Sequence, residues 1–156
     1  MMILVFMVVV LSIATYWCFH KHYDDLEGPD TLTPPTPIPQ LQGRIVPKPW
    51  GQEEIWAETP DYLGKVLTIE PHQQLSLQYH SEKTETIKVM LGPLFFEYGY
   101  ELDNLKTVEM QAGECIHIAP NLIHRMKAKD NPVMILEVST GELNDVVRIQ
   151  DSYGRS

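Results

Sequence analysis

Residues 75–92, LSLQYHSEKTETIKVMLG, decide how the rest of the chain is read. Gln78 and His80 are two apart, so in a β-strand both project from one face while Leu77 and Tyr79 project from the other. That makes a chelating pair. The polar interval SEKT suits a turn into a second strand, TIKVML, and Glu85 at its start brings a third ligand-type side chain within reach. Further on, GECIHIAPNLIHR runs from a strand ending at Ile118 through Pro120 and Asn121, a residue that accepts a left-handed turn, to His124, expected at the end of that turn. Gln78, His80, Glu85 and His124 form a mixed nitrogen and oxygen set that suits Zn, Fe, Mn, Ni or Co without selecting among them. His72 and His117 have no comparable partners and read as structural.

Outward from this stretch the chain alternates short apolar runs with turn signals. Strands are expected at 65–69, 74–80, 86–91, 94–100, 107–110, 115–118 and 133–138, with no long helical period and at most a short turn near 142–146. The 156 residues, 44% hydrophobic, allow one compact domain with a sizeable core. The fold expected is all-β, an antiparallel barrel or double-sheet jelly roll. Cys18 and Cys115 are too few for a disulfide scaffold, and Cys115 reads as a core residue.

The N-terminus differs in character. Residues 1–19 carry no charged side chain, long enough to span a bilayer, and the aromatic exit Tyr16, Trp17, Phe19 argues for an uncleaved transmembrane anchor over a signal peptide. Residues 20–42 form an acidic and Pro-rich linker, and the Pro-rich character continues to Pro49, which reads as an extended spacer without regular ladder bonds. The domain proper is then 43–156. With 21 acidic against 12 basic side chains, the formal charge of -9 argues against nucleic acid as a partner. Lys21 follows the apolar run and no charge precedes it, so the expected topology is single-pass with the domain on the cytosolic face.

The spacing of Gln78, His80, Glu85 and Gly92 resembles the first cupin motif, and the stretch from Gly113 to His124 and Arg125 resembles the second. More narrowly, the chain from about Pro47 to Arg155 is similar to the C-terminal isomerase domain of type II mannose-6-phosphate isomerase / mannose-1-phosphate guanylyltransferase. Gln in first place, KPWG at residues 48–51, Lys65, and the closing segment with Arg148 and the Asp151, Tyr153, Gly154, Arg155 ending carry that likeness. It implies a cupin double-stranded β-helix and a divalent transition metal, expected to be zinc. The activity implied is aldose–ketose isomerisation of mannose 6-phosphate to fructose 6-phosphate. The sequence departs from the family at His72, where Gly is usual, at Ala119 and Asn121, and around Glu85, where R-A-E-H-W has become Lys83, Thr84, Glu85, Thr86, Ile87.

Such an isomerisation needs a Lewis acid against the developing oxygen charge, and a base that moves a carbon-bound proton. The metal set is Gln78, His80, Glu85 and His124. Lys65 is the candidate base, if its surroundings lower its pKa. Arg148 and Arg125 are the candidates for phosphate, since a guanidinium offers paired donors to its oxygens. A homodimer is compatible with this reading. Two other readings stay open. One is a cupin of different activity, such as a dioxygenase or sugar-nucleotide epimerase. The other is a catalytically silent, membrane-tethered sugar-binding module, which the changes around Glu85 favour.

Overall fold

The structure is a computed structural model and describes residues 42–141 and 145–155. The anchor expected over 1–19, nearly all of the linker and most of the short turn expected at 142–146 lie outside the described residues. Within them the chain forms β1 (Arg44–Lys48), β2 (Gly51–Glu58), β3 (Leu63–Ile69), β4 (Leu77–His80), β5 (Glu85–Leu91), β6 (Leu94–Gly99), β7 (Lys106–Met110), β8 (Cys115–Ile118), β9 (Ile123–Lys127), β10 (Val133–Ser139) and β11 (Val146–Gln150). A 3-10 turn at Leu102–Asn104 is the one helical element among the described residues.

These strands make two antiparallel sheets, ordered β1-β2-β3-β10-β5-β8 and β11-β4-β9-β6-β7. Period-two alternation explains how each is faced. In β10, Val133, Ile135, Glu137 and Ser139 are buried while Met134 and Val138 are exposed, and β5 buries Glu85, Ile87 and Val89 in the same way. Leu67, Ile69, Ile87, Val89 and Ile135 of the larger sheet join Leu94, Phe96, Met110 and Met126 of the smaller one in a single core. Burying each such side chain contributes about 1.5–3 kcal/mol. The same inward positions turn polar toward one end, where Lys65 is the cross-strand neighbour of Glu137, and Ser139 that of Glu85.

Several expectations change at the level of elements. Arg44–Lys48 is a strand and not spacer: it lies at a sheet edge, where Pro47 removes a ladder donor without breaking an interior pair. The reversal after it places Gly51 at φ 142°, where a Cβ would come within 2.0 Å of the Thr68 carbonyl oxygen. Cys115 is exposed, because the inward parity of β8 belongs to Ile118. His124 does not end a turn but lies inside β9, one strand position beyond Ile123. The turn itself comes earlier, with Asn121 at φ 64° and its N–H donating to the His80 carbonyl at 2.7 Å. His72 also has a left-handed φ, 63°, which accounts for the glycine usual there in the family it resembles.

Candidate metal centre

The strands of the smaller sheet line up four polar side chains. Gln78 of β4 is the register partner of Arg148 on β11 and of His124 on β9, and Val146 is that of His80. Glu85, at the start of β5, reaches this row from the other sheet. The ligand atoms of His80, Glu85 and His124 lie within 4.8 Å of one another, and all three residues are buried. His80 Nδ1 is 2.9 Å from the carbonyl oxygen of Asp145, and His124 Nδ1 is 2.9 Å from that of Leu122. A carbonyl only accepts, so both Nδ1 atoms carry the proton and both Nε2 atoms present lone pairs. Neither Nε2 makes a hydrogen bond; Glu85 Oε1 stands 3.2 Å from that of His80, and Oε2 stands 3.7 Å from that of His124. Two buried lone pairs and a carboxylate aimed at one point fit a cation, and the donor set suits zinc or a neighbouring divalent transition metal.

Asp145 holds this geometry twice over. Its carbonyl orients His80, and its carboxylate accepts from the backbone N–H groups of Ser81 at 3.2 Å and of Glu82 and Lys83 at 2.8 Å each. Those donors keep its carboxyl at about 2, below the usual range. The turn between His80 and Glu85 is therefore clamped from a residue more than sixty positions away.

Charge around the triad is balanced internally. Lys83 is buried and donates to Glu85 Oε1 and, at 3.2 Å, to Glu137 Oε1, which Lys65 Nζ approaches to 3.5 Å. Burial pulls the Lys83 ammonium down, but Glu137 and Glu85 outweigh it and keep the group charged. Burial opposes ionisation of Glu85, but the Lys83 ammonium against its Oε1 outweighs it and holds the carboxyl below the usual value. Glu137 goes the other way: burial, then the charge on Glu85, push its carboxyl up despite both lysines. Burial lowers His124, which keeps it neutral. A carboxyl raised in this way, facing a cavity, is suited to accept and return a proton.

A cavity of about 280 Å3 opens over the site, just below the usual range for ligand pockets, about 300–1,000 Å3. Gln78, His80, Glu85, Lys65 and Arg148 all line it, together with Lys48, Lys83, Glu137 and Arg155. Gln78 also receives the hydroxyl of Ser76 at 2.7 Å on its Oε1. Arg125 is not brought there. As the neighbour of inward-facing His124 it points to the opposite face, where its guanidinium and Lys127 both pair with Glu97, at 2.8 Å and 2.6 Å. Three participants were not singled out in the sequence: Lys83, Glu137 and Asp145. For Glu137 a signal exists, since it shares the parity of Val133 and Ile135; for Asp145 there is none, because its contacts are with distant residues.

Residues 40–151 match the family described as "Mannose-6-phosphate isomerase C-terminal". The chain is 31% identical over 117 residues to the xanthan biosynthesis protein XanB of Xanthomonas campestris pv. campestris, covering 72% of this chain and 24% of the relative. It is 25% identical over 116 residues to a mannose-1-phosphate guanylyltransferase of Klebsiella pneumoniae, with the same coverage of 72% and 24%. The chain thus spans about a quarter of the length of these curated relatives. Among solved structures, the capsular polysaccharide assembling protein CapF of Staphylococcus aureus superposes with a TM-score of 0.61 at 14% identity, over 72% of this chain and 35% of that one. A cupin-superfamily sugar phosphate isomerase of Silicibacter pomeroyi does so with a TM-score of 0.50 at 18% identity, over 67% of this chain and 71% of that one. At these identities the two structures speak to the cupin fold alone.

Proposed function

Because this chain belongs to the mannose-6-phosphate isomerase C-terminal family, we propose that it is a metal-dependent sugar-phosphate isomerase interconverting mannose 6-phosphate and fructose 6-phosphate. The observation that carries this reading is the buried His80, Glu85 and His124 triad, with two unshared imidazole lone pairs beside a cavity rich in cationic groups. Gln78, His80, Glu85 and His124 would hold a divalent transition metal, zinc in the first instance. When bound, such a metal supplies Lewis acidity toward the carbonyl oxygen of the substrate. Arg148, next to Gln78 in the sheet, is assigned to the phosphate, where a guanidinium can offer paired donors. Lys65 and Glu137 face the cavity as an ion-paired couple and are assigned to moving the proton from one sugar carbon to the next. The proton removed is the proton returned, so no oxidant or reductant enters.

The test is formation of fructose 6-phosphate from mannose 6-phosphate by the full chain supplied with zinc, manganese or cobalt. Turnover is expected. Arg148→Ala should weaken binding of the phosphorylated sugar by about tenfold or more, as for a lost hydrogen bond to a charged group, with metal content unchanged. Equal affinity for mannose and mannose 6-phosphate in the parent chain would sink the phosphate assignment. Binding of the phosphorylated sugar without turnover would leave the silent, sugar-binding reading in its place, and oxygen uptake would point to dioxygenase chemistry.

For the N-terminal segment we propose a single-pass anchor over 1–19 that tethers the cupin on the cytosolic face. Protease treatment of sealed vesicles with their cytosolic face outward should degrade the cupin. A protected cupin fragment would overturn the orientation, and recovery of the protein wholly in the soluble fraction would overturn the anchor.

A further inference from the structure

A second cavity, of about 510 Å3, lies apart from the metal-centre cavity and shares no lining residue with it. It is built by the β6–β7 hairpin and the edge of β8. Tyr98, one residue before the end of the hairpin's first strand, is the register partner of His124, and its ring stacks on Phe96 with centroids 5.7 Å apart. The connection over 99–105 is formed, not open: the Asn104 N–H donates to the Glu101 carbonyl at 3.2 Å. Gly99 packs so closely beneath it that a Cβ would meet Leu105 Cδ2 at 2.9 Å and the Asn104 carbonyl at 3.1 Å.

The polar groups here behave differently from those over the metal centre. There, Lys48, Lys65, Lys83 and Arg155 are each held in an ion pair. Here the Tyr98 and Tyr100 hydroxyls, the Glu101 carboxylate, the Asn104 amide and the Lys106 ammonium make no hydrogen bond or ion pair with another described residue. One carboxylate and one ammonium cancel, so the cavity does not select a charged ligand. What remains is a set of donors and acceptors in about equal supply, beside two aromatic rings. A pyranose matches that set. Its hydroxyls both donate and accept, and the C–H groups on one ring face give it an apolar side that lies flat on an aromatic ring. A phosphorylated ligand would need a surplus of cations, which this cavity lacks. The volume falls within the range of ligand pockets and leaves room for more than one sugar ring.

We propose that this cavity is a binding site for a neutral saccharide of one or two rings, with Tyr100 as stacking platform and Glu101, Asn104 and Lys106 as hydroxyl partners. The proposal does not rest on the isomerase reading: the two cavities share no lining residue, and Leu122, whose carbonyl orients His124, meets this one only as part of its wall. Cellobiose, maltose and α-1,2-mannobiose are titrated into the isotopically labelled full chain and backbone amide shifts are followed. Saturable shifts are expected for at least one sugar at residues 98–106 and at His117, while amides of residues 78–85 stay in place. Tyr100 is 67% exposed, so Tyr100→Ala leaves the fold intact, and it should weaken binding by about tenfold, the factor to which 1.4 kcal/mol corresponds. Asn104→Ala, also at an exposed position, should weaken it as well. The proposal is overturned if none of the three sugars shifts these amides at tens of millimolar, if the shifts fall only on residues 78–85, or if both variants bind as the parent does.

Discussion

Replacing His80 and His124 together by alanine is expected to abolish stoichiometric binding of zinc by this protein. Structural zinc sites hold their ion with about 10–16 kcal/mol shared among four ligands, so each imidazole is worth roughly 2.5–4 kcal/mol, from about seventyfold to nearly a thousandfold in affinity. Both imidazoles are buried and have their protons fixed on Nδ1 by backbone carbonyls, so their Nε2 lone pairs are already aimed at the site and alanine supplies no substitute for them. The single variants should each lose most of the affinity, and Gln78→Ala less, because the oxygen of Gln78 is already shared with Ser76. Competition against a chelating dye measures this directly, with circular dichroism as the check on folding. A double variant that still carries a full equivalent of metal places the site elsewhere.

Lys83→Ala should cost the metal-free protein about 3–5 kcal/mol of stability, the usual penalty for removing one partner from a buried ion pair. Lys83 is 4% exposed and stands between Glu85 and Glu137, themselves buried, so its removal leaves two carboxylates facing each other with only Lys65 nearby. Lys83→Arg, which restores the residue usual in the family, should recover part of the loss. Added zinc should narrow the deficit too, because a dication next to Glu85 replaces the missing charge. Urea midpoints with and without a chelator supply the comparison. A loss below about 0.5 kcal/mol, within the spread of ordinary surface substitutions, would mean that these charges are already compensated by water.

The pairing of Gln78 with His80 was legible because it depends only on strand parity, and both line the cavity. The place of His124 was less so. Leu122, Ile123 and His124 are buried in succession, and this breaks the alternation that would have marked β9 as a strand. Once β9 is known, the exclusion of Arg125 follows, since consecutive strand residues face opposite ways. β1 was obscured by prolines that an edge strand tolerates. Glu137 was readable by parity but resembles the many acidic residues that point outward from strands. Asp145 left no local trace at all, because its work is done across a gap of some sixty residues.

That gap has a consequence for the order in which the protein comes into being. Translation delivers His80, Glu85 and His124 well before Asp145, at about 5–20 residues per second. The nascent chain therefore carries every imidazole and carboxylate of the triad while nothing yet fixes the His80 ring or the turn at 81–83. A stop codon just after Ser139 would produce a protein with all three of these side chains but without the carbonyl and carboxylate that aim them. Capture of a metal at this site would then wait for the segment that carries Asp145, and a lesion in the coding of that segment would mimic loss of the ligands themselves.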